Sequence, residues 1–274
     1  MKIDLTYKCS MGCSHCLSDC KPDGESMSIN TLNKVMDFII NTGIADLQYN
    51  NIVISGGEMF EHPQIKEMLD IIFTRLANKP CVISLATNGR ILSDDIQMLN
   101  YLKDKMNSKE WKNRVFLQIS DDDRFYPIRL TDKQKYRLKK LGGIIDGLQN
   151  FDKNHACLYP QGRAMDNYDE SWYFTRAPKC TNPRWMAKHY NVESFTKIVQ
   201  SLVEYQKYCT PTISPKGEIK LGESALCPPV CTIDDPDIIG KVKAFKCSKC
   251  QYAAHKLLWI NPLMHTTVFY EKDN

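Results

Sequence analysis

Three cysteines near the start of the chain have a spacing that can hold a metal centre. The segment Cys9-Ser-Met-Gly-Cys13-Ser-His-Cys16 places three thiols within eight residues, directly after a short apolar run. Three thiolates suit a soft metal such as the iron of an iron–sulfur cluster, and a missing fourth ligand leaves one position open for a small molecule. The same spacing also fits a zinc loop that Cys20 or His15 completes. The spacing alone leaves both kinds of site open.

The composition is that of a globular protein and bears on its partners and its compartment. The chain has 274 residues, of which 43% are hydrophobic and 25% charged, as in a globular protein with its own core. Its 36 Lys and Arg nearly balance 32 Asp and Glu, so we expect no nucleic-acid partner. No apolar run reaches the ~18 residues of a membrane span, and no signal peptide is visible, so we expect a cytoplasmic protein without a membrane partner. In that compartment, twelve cysteines indicate metal ligands rather than disulfides.

The first half of the chain alternates short apolar runs with amphipathic stretches. The predicted strands are Lys2–Tyr7, Asn51–Ser55, Cys81–Ala86, Val115–Ser120 and Gly143–Leu148. The predicted helices are Ile29–Ile40, Ile65–Leu76, Ile96–Met106 and Thr131–Leu141. This alternation is typical of an α/β fold with a parallel sheet, in which ligands bind at the C-terminal ends of the strands.

The pattern weakens after residue 149. We predict a helix over Phe195–Tyr208 and two short strands within Thr210–Leu221, around the turn Ser214–Gly217. The rest reads as a cysteine-rich loop region. The sequence therefore predicts a main domain over residues 1–190 and a cysteine-rich appendage over residues 191–274.

Polar or glycine residues follow three of the predicted strands. They are Gly56, Gly57 and Glu58 after the second strand, Thr87 and Asn88 at the end of the third, and Ser120 and Asp121 at the end of the fourth. Glycine lets a backbone approach a ligand closely, and a carboxylate suits an ammonium group. For the residues of the third and fourth strands, ordinary turn chemistry is the alternative.

Together, these motifs resemble those of the radical S-adenosylmethionine (SAM) superfamily. Its signature is Cys-x3-Cys-x-(often aromatic)-Cys after the first strand and a Gly-Gly-Glu-Pro turn after the second, where Met59 replaces the proline here. The resemblance covers residues 1 to about 165. It implies a partial (β/α)6 barrel, similar to a TIM barrel, that carries its cofactors at the C-terminal ends of the strands.

The resemblance also implies a set of cofactors. A 4Fe-4S cluster held by Cys9, Cys13 and Cys16 would bind SAM, cleave it reductively and let the resulting 5′-deoxyadenosyl radical abstract a substrate hydrogen. An electron donor such as flavodoxin or ferredoxin is expected. The SAM-binding residues that the resemblance suggests are His15, Gly56, Gly57, Glu58, Thr87, Asn88, Ser120, Asp121 and Arg163. His15 could equally be a packing residue, and Arg163 a surface residue.

The second group of cysteines admits two interpretations. The spacing Cys209-x12-Gly222-x4-Cys227 resembles the hairpin that begins an auxiliary iron–sulfur site in SPASM and twitch appendages, and Cys247-x2-Cys250 could complete it. Alternatively, Cys227, Cys231, Cys247 and Cys250 have the spacing of a zinc site. Both interpretations predict a second metal in the tail.

The substrate prediction depends on an acidic run. Asp121, Asp122 and Asp123 follow the fourth strand, where a carboxylate can pair with an amine or with the N–H edge of a guanine-like ring; a solvated loop is the alternative. We therefore predict a small nucleoside-like substrate. The length and the cysteine-rich tail resemble queuine lyases, which release queuine from queuosine or its 5′-phosphate. A radical SAM peptide (RiPP) maturase of the SPASM or twitch type and a glycyl-radical-enzyme activase remain alternatives.

Overall fold

The structure is a computed structural model, and it divides the chain into two compact units. It describes residues 1–47, 50–146, 158, 162–172, 194, 196, 211–222 and 227–245. The first unit comprises residues 1–13, 20–150 and 213–217. The second unit comprises residues 14–19, 151–212 and 218–274. The predicted boundary at residue 190 lies outside the described residues.

Five parallel strands form the sheet of the first unit. They are β1 (Lys2–Thr6), β2 (Asn51–Gly56), β3 (Val82–Thr87), β4 (Val115–Ser120) and β5 (Ile144–Asp146). Their spatial order is β5-β4-β3-β2-β1, and each neighbouring pair is parallel. The prediction of an α/β fold with a parallel sheet is therefore confirmed, and the strand bounds differ from the predicted ones by at most two residues.

The two faces of this sheet differ in polarity. One face carries fully buried aliphatic side chains from four strands: Ile3, Leu5, Ile52, Ile54, Ile83, Leu85, Leu117 and Ile119. The other face carries Lys2, Asp4, Ser55 and Ser84, which are buried but polar. Because side chains alternate along a strand, the aliphatic and the polar side chains lie on opposite faces of the sheet, and the aliphatic face belongs to the core.

Five helices accompany these strands. They are α1 (Ile29–Asn41), α2 (Ile65–Leu76), α3 (Arg90–Asp94), α4 (Ile96–Asn107) and α5 (Asp132–Lys140). Side-chain caps fix several of their first turns: the Ser28 hydroxyl accepts a hydrogen bond from the Thr31 amide at 3.0 Å, and Thr131 forms a capping box with Gln134. The sequence predicted all of these helices except α3, which is too short to show a helical period.

Arg114 hydrogen-bonds several carbonyl groups near the N-terminal end of β3. Its guanidinium lies 4.5 Å from the ring centroid of Trp111. It donates to the carbonyl oxygens of Leu76, Ala77, Lys79, Cys81 and Glu110. One cation therefore satisfies the carbonyl groups at the end of α2 and at the start of β3.

The described part of the second unit contains short elements. These are α6 (Ala164–Asn167), a 3-10 turn (Glu170–Trp172), β7 (Glu218–Lys220), β8 (Pro229–Thr232) and α7 (Ile238–Ala244). β7 and β8 pair antiparallel. The strand β6 (Thr212–Ile213) precedes β7, and these two strands with the turn between them confirm the prediction for 210–221. The predicted helix 195–208 lies outside the described residues.

The cysteine-rich tail contains more regular structure than the sequence predicted. β8 and α7 lie where we expected a loop. The side chain of Asp237 starts α7 by accepting a hydrogen bond from the Gly240 amide at 2.9 Å. No helix within the described ranges is long and apolar enough to cross a membrane.

Candidate cofactor site at the C-terminal ends of the strands

The loop that carries the cysteines leaves the end of β1 and is closed by backbone hydrogen bonds. The amide of Cys9 donates to the carbonyl of Lys21 at 2.9 Å, and the amide of Lys21 donates to that of Tyr7 at 3.1 Å. Gly12 has a φ of 68°, a value that glycine adopts without strain, and lets the chain turn before Cys13. Cys9 is half-buried and Cys13 is buried. The first two cysteines of the motif thus lie on a loop with fixed ends.

The donor set of this loop fits a soft metal centre. Cys9, Cys13 and Cys16 supply three cysteine sulfurs, which is the ligand type that iron–sulfur clusters use. Within the described ranges, no three His, Cys, Asp or Glu side chains are gathered at distances that hold a metal ion. Binding of a cluster would bring the three thiols together, since metal binding and local folding are commonly coupled.

The glycines after β2 pack directly against the cysteine loop. The Gly57 amide donates to the Thr6 carbonyl at 2.6 Å, and the Glu58 amide donates to the Lys8 carbonyl at 2.8 Å. A Cβ atom on Gly57 would lie 2.3 Å from the Lys8 oxygen and 2.9 Å from the Cβ of Cys9. Only glycine lets the turn after β2 approach the backbone of Lys8 and Cys9 so closely. The glycine turn and the start of the cysteine loop are therefore in direct contact.

Gly56 is constrained in a similar way. Its φ is 141°, and a Cβ atom would lie 2.1 Å from the Thr6 carbonyl oxygen. The register between β1 and β2 also shifts here, because Thr6 pairs with Gly56 while Asp4 pairs with Ser55. This irregularity ends the pairing of β1 with β2 at the point where the cysteine loop begins.

The Glu58 carboxylate points into the protein. It is 0% exposed and accepts hydrogen bonds from the Thr87 hydroxyl at 2.7 Å, the Asn88 amide at 2.7 Å and the Phe60 amide at 3.1 Å. Burial raises the pKa of this carboxyl from 4.5 to about 7, although these hydrogen bonds oppose the rise. Glu58 therefore ties the turn after β2 to the end of β3, while a role with SAM stays a prediction.

Thr87 and Asn88 use their side chains within the turn after β3. The Thr87 hydroxyl donates to Glu58 and accepts from the Gly89 amide at 2.9 Å. The Asn88 side-chain oxygen accepts from the Arg90 amide at 3.0 Å, at the start of α3. Both side chains thus shape the loop itself, as turn chemistry would require.

The three aspartates that follow β4, Asp121 to Asp123, lie in different environments. Asp121 is 2% exposed and receives two hydrogen bonds from Arg129, at 2.7 and 2.9 Å, and an ion pair from Lys135 at 3.0 Å. Burial opposes the ionised form, but Arg129 and Lys135 outweigh it and hold the pKa of Asp121 below its usual value. Asp122 is buried and pairs with Arg124. Asp123 is the exposed carboxylate of the run.

Ser120 closes β4 opposite the last residue of β5. It is half-buried and pairs in register with Asp146. Its position at the C-terminal end of the sheet agrees with the predicted placement, and its contact with a cofactor stays a prediction.

His15, Cys16 and Arg163 belong to the second unit. His15 and Cys16 are half-exposed. The backbone amide of Arg163 donates to the Cys16 carbonyl at 3.0 Å, and its side chain lies 3.5 Å from an oxygen of Asp19. The structure thus places Arg163 against the loop of the third cysteine, and the contacts of His15 and Arg163 with SAM stay predictions.

Two cysteines of the predicted tail site are described. Cys227 lies beside Gly222, where a Cβ atom would be 2.8 Å from the Cys227 sulfur. Cys231 is buried in β8, and burial raises the pKa of its thiol to about 11. The remaining candidate ligands, Cys209, Cys247 and Cys250, lie outside the described residues. The tail metal therefore stays a prediction.

Sequence reasoning missed several residues that hold the site together. Glu61 accepts hydrogen bonds from both the amide and the hydroxyl of Ser10, at 2.8 and 2.7 Å. Arg129 and Lys135, which enclose Asp121, were also missed. Their positions in a basic stretch right after the acidic run were the available signal, since opposite charges a few residues apart often pair across a loop.

Comparisons with known proteins support the fold. No family model matches the chain. The chain is 27% identical over 106 residues to the antilisterial bacteriocin subtilosin biosynthesis protein AlbA of Bacillus subtilis (strain 168). This match covers 38% of the chain but only 22% of AlbA, so the chain spans about a fifth of its curated relative.

Two solved structures share the fold. BtrN in complex with AdoMet and 2-DOIA superposes with a TM-score of 0.54 at 10% identity, over 92% of this chain and 84% of BtrN. The structure of anSMEcpe with bound AdoMet and the Cp18Cys peptide gives a TM-score of 0.51 at 11% identity, over 93% and 82% of the two chains. Both structures hold AdoMet on the partial-barrel fold that the sequence motifs predicted.

Proposed function

We propose that this chain is a radical SAM enzyme. Cys9, Cys13 and Cys16 would hold a 4Fe-4S cluster, and SAM would bind at the C-terminal ends of β1 to β4. The observation that carries the proposal is the packing of Gly57 against Cys9, where a Cβ atom would lie 2.9 Å from the Cβ of the cysteine. This packing brings the glycine turn to the first cysteine of the motif, and the fold is shared with two AdoMet-bound structures.

The residues of the chain bind and orient rather than react. When bound and reduced, the cluster supplies the electron that splits the sulfonium C–S bond of SAM. The Thr6 and Lys8 carbonyl groups position the glycine turn, and Glu58 fixes the loop after β3 relative to it. A site built from such tightly bonded loops holds its ligands in one geometry, which favours one hydrogen of the substrate over its neighbours.

Two substrate classes are proposed. The similarity to a bacteriocin biosynthesis protein favours a peptide, as in a maturase of the SPASM or twitch type. The exposed carboxylate of Asp123 at the end of β4 favours a small cationic or nucleoside-like molecule such as queuosine or its 5′-phosphate. The cysteine-rich tail would add an auxiliary iron–sulfur cluster or zinc ion in either case, and a flavodoxin or ferredoxin would donate the electron.

Cluster binding is the first test. The purified chain is reconstituted anaerobically with iron and sulfide, and iron, sulfide and the EPR signal of the reduced protein are measured. We expect Cys9→Ala, Cys13→Ala and Cys16→Ala each to abolish the SAM-responsive EPR signal. Cys20→Ala is the matched control, because Cys20 is a buried thiol on the same loop outside the motif. Loss of the signal in Cys20→Ala as well would instead support a site that Cys20 completes.

A second experiment separates the substrates. The reconstituted protein is incubated with SAM and dithionite in the presence of queuosine, queuosine 5′-phosphate or peptides encoded beside its gene, and products are followed by mass spectrometry. Release of queuine coupled to 5′-deoxyadenosine would support the nucleoside. A mass change in a peptide would support the maturase. Asp123→Asn should weaken turnover of the nucleoside only.

A further inference from the structure

A short segment of the second unit holds the loop of the third cysteine. This segment, residues 162–168, contains α6 and its flanking residues, and we call it the clamp. It contacts residues 14–19 at several points, through their backbone and through the Ser14 side chain. These contacts constrain the backbone of the loop that carries Cys16.

The first contact is between backbones. The Arg163 amide donates to the Cys16 carbonyl at 3.0 Å, and this carbonyl also accepts from the Asp19 amide at 3.4 Å. Gly162 has a φ of 56°, and a Cβ atom there would lie 2.3 Å from the Cys16 oxygen and 2.5 Å from the Leu17 oxygen. Any larger residue at position 162 would therefore push the cysteine loop away.

The second contact involves two side chains. The Asn167 amide group donates to the Ser14 carbonyl at 3.0 Å and to the Arg163 carbonyl at 2.8 Å. The Tyr168 hydroxyl makes a short hydrogen bond with the Ser14 hydroxyl. The ring of Tyr168 is itself braced by Trp172, with ring centroids 5.3 Å apart. Ser14 is thus held through both its backbone and its side chain.

We propose that the clamp positions Cys16 for metal binding, with Asn167 and Tyr168 as positioning residues. This inference rests on the proposed function. Only Ser14 and His15 separate Cys13 from Cys16. Holding the backbone at Ser14 and at Cys16 therefore restricts the directions in which the third thiol can point. Such contacts preorganise a metal ligand without touching the metal, much as residues around known metal sites orient their ligands.

The first half of the test uses the protein without metal. Hydrogen exchange is measured in wild type, Asn167→Asp, which loses the donor, and Tyr168→Phe, which keeps the ring against Trp172. We expect the amides of Asp19 and Arg163, both bonded to the Cys16 carbonyl, to exchange about fivefold faster in each variant. Asp166→Asn, at an exposed position of the same helix, is the control and should match wild type.

The second half uses reconstituted protein. We expect Asn167→Asp and Tyr168→Phe to bind as much iron as wild type but to release it to a chelator about fivefold faster, with an altered EPR line shape. Unchanged exchange in both variants would overturn the clamp. Faster exchange with unchanged iron release and EPR would reduce it to a purely structural contact and overturn the positioning role. A wild-type protein that holds no iron would refute the proposed function itself, and the positioning role with it.

Discussion

The buried carboxyl of Glu58 should make the stability of the protein fall as the pH rises. Its pKa is raised from 4.5 to about 7 by burial. A carboxyl whose folded pKa exceeds its unfolded value contributes stability that is fully present below the unfolded pKa and is lost as the pH rises through the folded pKa. A rise of this size corresponds to ~3 kcal/mol of unfolding free energy, lost between about pH 4.5 and pH 7.5.

The assay is urea unfolding of the metal-free protein across that pH range. Glu58→Gln removes the titrating group, so its unfolding free energy should lack this decrease. The quantity of interest is the difference between wild type and variant at each pH. His62 is buried and its pKa is lowered by burial, so it destabilises the fold at acidic pH, but it does so in both proteins and cancels in the difference.

We expect the unfolding free energy of wild type minus that of the variant to change by ~3 kcal/mol across the range. The difference should be larger at low pH, where wild type is more stable relative to the variant. Glutamine has one acceptor oxygen where Glu58 has two, so the loss of a hydrogen bond from Thr87 or Asn88 adds an offset that depends less on pH. Glu67→Gln, at an exposed position of α2, is the matched control and should show no such slope. A difference that stays constant with pH would refute the reasoning and would mean that folding does not raise the pKa of Glu58.

Three further predictions concern the stability of the first unit. Gly57→Ala should lower the unfolding free energy by ~1–3 kcal/mol in a urea titration, because its Cβ overlaps the backbone next to Cys9, and should weaken SAM binding measured by calorimetry. Arg114→Lys should cost ~2–3 kcal/mol in the same titration, since lysine cannot replace the planar group that bonds several carbonyls. Asp121→Asn should cost ~2 kcal/mol at pH 7, measured by thermal unfolding, because it leaves Arg129 without its partner; the loss should shrink as the pH falls through the lowered pKa of Asp121.

Much of the first unit could be predicted because its elements carry strong local signals. The helix over Ile65–Leu76 and the strand over Val115–Ser120 were predicted with the observed bounds. Both have an apolar pattern of clear period, and the strand is followed by turn residues. The short helix α3 and the tail helix α7 were missed because five and seven residues are too few to show a period.

The sequence predicted which strand ends carry the motif residues, but not how those residues are hydrogen-bonded. The motif spacing placed Glu58 beside the cysteine loop, yet its partners come from the neighbouring strand β3 and depend on the sheet order. The run Asp121–Asp123 looked uniform in sequence, and only the fold of the loop after β4 divides it into buried and exposed carboxylates. Contacts between distant segments, such as Asn167 with Ser14, have no local signal.

The most direct test of the central claim is reductive cleavage of SAM. Anaerobically reconstituted wild-type protein is mixed with SAM and dithionite, and 5′-deoxyadenosine is quantified by mass spectrometry beside Cys13→Ala and Cys20→Ala. The account predicts 5′-deoxyadenosine from wild type and Cys20→Ala and none from Cys13→Ala. Iron-loaded wild-type protein that leaves SAM intact, or equal product from Cys13→Ala, would contradict it.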